Sequence, residues 1–122
     1  MDKELFDFVA ERADVLATAD SAKQATKDAA LAWKEAVAAD SSDAAVEAAT
    51  AKLVDFLEGR PNTIEGVIAF LEGLAKEMLG EEAAAAGLAA QLERKEAGAK
   101  WCDCPACTAA TEILAKFGRI EL

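Results

Sequence analysis

Residues 42–61, SDAAVEAATAKLVDFLEGRP, contain a start, a face and a stop for one helix. The helix begins near Ser42, at the end of the turn Asp40-Ser41-Ser42. Val46, Ala49, Leu53, Phe56 and Leu57 follow at spacings that gather them on one side of a helix. Gly59-Arg60-Pro61 ends it, because glycine suits the turn after a helix and proline cannot continue the hydrogen-bond ladder.

The same pattern extends in both directions. Upstream, Leu5, Phe8, Val9, Ala13 and Leu16 predict a first helix over about residues 3–17. Asp20 or Ser21 is placed to cap a second, whose stripe of Ala22, Ala25, Ala29, Trp33 and Val37 runs to the turn Asp40-Ser41-Ser42. Downstream, Asn62 followed by Glu65 reads as a capping box opening a fourth helix that runs to about Leu79 and stops at Gly80. A fifth helix has acids at its start, Glu81-Glu82, and bases at its end, Arg94-Lys95, the favourable sense for the helix dipole. Gly98 ends it, and Pro105 is suited to the first position of a last helix through Ile113 and Leu114 to Gly118.

Composition agrees with this reading. Among 122 residues there are 31 alanines, two prolines and no tyrosine, which favours helix and excludes an all-β or doubly wound fold. The expectation is an all-α protein: residues 1–122 as a single domain, a compact bundle of five or six helices with a cysteine-rich turn before the last. With so much alanine the core must be thin and close-packed. A formal charge of −10 argues against nucleic acid and anionic membranes, both of which are bound through clustered Lys and Arg. No basic region followed by an apolar stretch opens the chain, and charges interrupt every apolar run, so a soluble, cytoplasmic protein is expected.

Gly59, Gly66, Gly73, Gly80 and Gly87 recur every seven residues. On the fourth helix Gly66, Ala69 and Gly73 share one side, while Val67, Leu71, Leu74 and Met78 share another. Glycine costs about 0.5–1 kcal/mol in a helix relative to alanine, so this side is expected to admit another alanine-rich helix at close range. Such Ala/Gly-rich faces are also where self-association or a protein partner is expected. Trp33, Phe56 and Phe70 fall in apolar stripes and read as core.

Chemistry concentrates in Lys100-Trp101-Cys102-Asp103-Cys104-Pro105-Ala106-Cys107-Thr108, a C-x-C-P-x-C arrangement. With Pro105 first in its helix, Cys104 is the N-cap and Cys107 the third helical residue, so three sulfurs converge where amide N–H groups favour negative charge. The Cys104–Cys107 spacing suits a two-ligand knuckle, with Cys102 as a third thiolate. Zinc is the expected metal, an iron–sulfur cluster the alternative. The chain has no histidine, so a fourth ligand must come from Asp103, Glu96 or Glu112, from water, or from another chain. The predicted function is a small acidic metal-binding accessory protein.

Two other readings are open. Cys104 and Cys107 form a C-P-x-C pair that resembles glutaredoxin-type active sites, which implies thiol/disulfide redox chemistry with Cys104 as nucleophile and Cys107 or Cys102 as the resolving thiol. Those sites follow a strand near the start of a βαβ unit, whereas this pair follows a glycine-ended helix. Helical dithiol peroxidases of the alkylhydroperoxidase type share the C-x-x-C spacing but use a histidine that this chain lacks. The third reading is a purely structural helical interaction module. Glu58, Glu65 and Glu72 also repeat every seven residues, but without histidine they read as a solvated acidic face rather than a di-metal site. No G-x-S-x-G or glycine-rich phosphate loop is present.

Overall fold

The computed structural model describes residues 1–122. They form seven α-helices: α1 (Lys3–Thr18), α2 (Gln24–Ala39), α3 (Asp43–Leu57), α4 (Ile64–Glu72), α5 (Leu74–Leu79), α6 (Glu81–Glu96) and α7 (Pro105–Lys116). The fold is all-α, its one β element an isolated antiparallel bridge between Thr63 and Trp101. No helix is long and apolar enough to cross a membrane.

Packing divides the helices into two units, residues 1–61 with 103–121, and residues 62–102 with Leu122. In the first, α1 and α3 each pack on both α2 and α7, closing four helices around one core. That core is built from Val9, Ala13 and Leu16 of α1, Ala30 and Trp33 of α2, Leu53, Val54 and Leu57 of α3, and Ala110, Ile113 and Leu114 of α7. Alanine at facing positions lets the helices approach closely, so the larger side chains interdigitate. One polar pair lies inside: the Trp33 indole Nε1–H donates to Thr50 Oγ1 at 3.0 Å, both residues being buried. Beyond α7, Arg119 reaches back to Asp55 (3.0 Å) and Glu58 (2.8 Å), fixing the tail against α3.

The second unit is smaller. Leu71, Ala75 and Ala84 form its buried centre, with Val67 and Leu88 against them. Leu71 lies over Gly87, where an added Cβ would come within 3.1 Å of a Leu71 methyl, so α4 and α6 meet closely at that glycine.

Four expectations change. The stretch read as one helix to Leu79 is two, because at Gly73 (φ −115°, ψ −103°) the backbone leaves the helical region. Gly66, Ala69 and Gly73 are exposed, so that side of α4 receives no neighbouring helix and the closely packed glycine is Gly87 instead. Beyond the break Leu74 and Met78 are exposed, as is Phe70, while Trp33 is core and Phe56 half-buried. The fourth helix is capped by Thr63, which accepts from the Gly66 amide, rather than by Asn62. At α3 the start near Ser42 and the stop before Gly59 hold, with the helix running from Asp43 to Leu57; the structure adds a cap, Ser42 Oγ accepting from the Ala45 amide.

Thr50→Val keeps the shape of the core but leaves the Trp33 N–H buried without an acceptor. It is expected to lower stability by about 1–3 kcal/mol, read as a shift of the urea midpoint; an unchanged midpoint would show that the pair contributes nothing.

Candidate metal centre

The segment from α6 to α7 is held at both ends. Gly98 (φ +99°) lets α6 close with a reversed turn in which the Gly98 amide bonds Lys95 O and the Ala99 amide bonds Arg94 O. The following residues then run beside Asn62–Ile64: the Ile64 amide donates to Lys100 O and the Cys102 amide to Asn62 O, each at 2.9 Å. Arg94 Nη2 adds a 3.0 Å bond to Trp101 O. Cys102 therefore leaves a fixed backbone.

Two residues later Cys104 has extended backbone (φ −64°, ψ 155°) and serves as the N-cap of α7. Asp103, between Cys102 and Cys104, is exposed. Pro105 opens the helix without an amide hydrogen to satisfy, and the next two amides each find a partner. The Ala106 N–H donates to Ser21 Oγ at 3.2 Å, and the Cys107 N–H to Cys104 Sγ at 3.3 Å. Ser21, expected to cap the second helix, thus caps α7 instead; α2 begins only at Gln24, with no side-chain cap.

This geometry brings the Sγ atoms of Cys102, Cys104 and Cys107 within 4.8 Å of one another, a group that can hold a metal ion. All three are thiols; Cys107 is buried, and Cys102 and Cys104 are half-buried. The group contains no carboxylate. Glu112 is taken up by Arg12 Nη2 at 2.8 Å, and the Arg12 guanidinium lies 3.6 Å from the centre of the Phe8 ring. Asp103 is exposed and lines an open groove with Arg12, Pro105 and Glu112. Glu96 is exposed at the end of α6. The three candidate sulfurs thus come together and the three candidate carboxylates do not join them.

What these thiols can do follows from their surroundings. Thiolates are the nucleophilic and metal-binding form of cysteine, and amide donors at a helix start stabilise them. A donor held on Cys104 Sγ is the kind of outer contact that orients a ligand. The chain matches no family model, no curated protein and no solved structure.

The two caps make separate contributions. In metal-free protein Ser21→Ala and Cys104→Ala should each cost about 0.5–2 kcal/mol, whereas Cys104→Ser, which keeps an acceptor at the same place, should cost less. Chemical denaturation of the three variants distinguishes them, and equal losses for Cys104→Ala and Cys104→Ser would rule out the sulfur as a cap.

Proposed function

We propose that this protein is a small cytoplasmic metal-binding accessory protein that carries one zinc ion on Cys102, Cys104 and Cys107 and acts through a protein partner. The convergence of three sulfurs within 4.8 Å at one helix start supports this reading. Tetrahedral zinc with Zn–S bonds of about 2.3 Å sets its sulfurs about 3.8 Å apart, so small side-chain rotations close the group onto an ion. A four-iron cluster takes each cysteine on a different iron and needs wider spacing. Thiolates are ligands that zinc accepts readily. With three ligands from the chain, the fourth position falls to water or to a group brought by the partner, and the half-buried Cys102 and Cys104 leave that side approachable.

The position of Cys104 supports a second reading. It is half-buried at the N-cap and sits beside the buried Cys107, an arrangement suited to a dithiol that closes to a disulfide when an external disulfide is reduced.

Metal analysis with an absorption spectrum separates the two, on protein purified without oxygen and without an affinity-column metal. The expected result is one zinc per chain, lost in the double variant Cys104→Ser, Cys107→Ser and bound more weakly in Cys102→Ser. Iron with broad visible absorption would replace zinc by a cluster. Metal-free protein whose Cys104 and Cys107 close reversibly to a disulfide would overturn ligation in favour of the dithiol. Metal-free protein with inert thiols would leave only a structural role.

A further inference from the structure

The break at Gly73 has an outcome at the surface. α5 buries one residue, Ala75, and turns its larger apolar side chains outward: Leu74, Met78 and Leu79 are 64%, 71% and 57% exposed, and Phe70, just before the break, is 40% exposed. Leu74 and Met78 are four apart and share one side of the helix. In sequence period they continue the Val67, Leu71 stripe that packs inside this unit, so apolar residues of core type stand in water. Apolar groups placed together at a surface mark contact with another molecule, and methionine's flexible thioether adapts to varied partners.

The charge around these residues identifies the partner. Glu72, Glu77, Glu81 and Glu82 are all exposed in the same short stretch, with Lys76 as the one base. None of these five side chains makes an ion pair or hydrogen bond within the chain. A second copy would bring four carboxylates and one amine against the same set, an unfavourable match of like charges. A segment with an apolar face edged by Lys and Arg matches both features.

We propose that α5 and its flanks form a docking surface for a basic amphipathic helix of a partner protein, with Leu74 and Met78 as the apolar contacts and Glu72, Glu77, Glu81 and Glu82 as the rim that selects positive charge. Helices of this type bind by laying their apolar face on an apolar surface, while charge sets encounter and orientation. The surface involves none of the three cysteines, so it stands or falls separately from the metal reading.

The probe is a fluorescently labelled helical peptide of leucine and lysine, titrated with the full chain and followed by anisotropy at low and moderate salt. Binding should weaken by about tenfold or more, at least 1.4 kcal/mol, in Leu74→Gln, Met78→Gln, which keeps every charge. A comparable loss is expected in Glu72→Gln, Glu77→Gln, which keeps every apolar group, and the parent affinity should fall with salt. All four positions are exposed, and circular dichroism checks that the variants keep their helices. Undiminished binding by the Leu74, Met78 variant would reduce the effect to charge alone and overturn the proposal. Equal affinity for a leucine–glutamate peptide would do the same from the other side. A dimer in sedimentation that this variant dissociates would assign the surface to a second copy instead.

Discussion

A helix start is a place where amides must find acceptors outside the helix, and the start of α7 meets that demand with atoms of unlike origin. Proline removes one amide hydrogen, the Ser21 hydroxyl takes the next from across the first unit, and the Cys104 sulfur takes the third. Seven of the twelve residues of α7 are buried, from Ala106 to Leu114. Where the helix begins therefore decides which of its faces enters the core, and a shift of one residue would turn that face by about 100°. The same register places Cys107 beneath Cys104. Core packing and thiol convergence are thus two readings of one constraint.

The alanine-rich interior makes that constraint matter. Small side chains contribute little burial each, at roughly 25 cal/mol per Å² of apolar surface, so the first unit relies on a few large residues, Leu16, Leu57, Ile113 and Leu114 among them, meeting across close helices. A buried tryptophan in such a core brings a polar N–H with it, and Thr50 is positioned on α3 to accept it. The second unit has a much smaller centre, set by the contact of Leu71 with Gly87. It leaves the side chains of α5 without a core to enter.

Local signals were readable and remote ones were not. The bounds of α3 follow from the turn ending at Ser42, the Val46–Leu57 stripe and Gly59 because turn, period and stop all act within a few residues. Convergence of the three sulfurs follows from the C-x-C-P-x-C spacing for the same reason. The break at Gly73 is hidden because Val67, Leu71, Leu74 and Met78 keep a helical period straight through it; the period records spacing and is blind to a change of helix axis. Ser21 was recognisable as a cap, but its amide lies 85 residues away, a pairing that exists only once α1, α2 and α7 have packed. Asp103 reads as a possible ligand by proximity in sequence, whereas the group of ligand atoms that converges holds three sulfurs and no carboxylate.

The compactness of the thiol group in sequence has a thermodynamic consequence. Cys102, Cys104 and Cys107 span six residues, so they remain near one another when the chain is unfolded, and gathering them costs little loop-closure entropy. An ion that prefers the native group only slightly over the unfolded segment shifts the folding equilibrium only slightly, whatever its absolute affinity. A metal bound here would be a passenger on a helix start already held by proline, serine and sulfur, and its loading or loss could proceed without unfolding the helices around it.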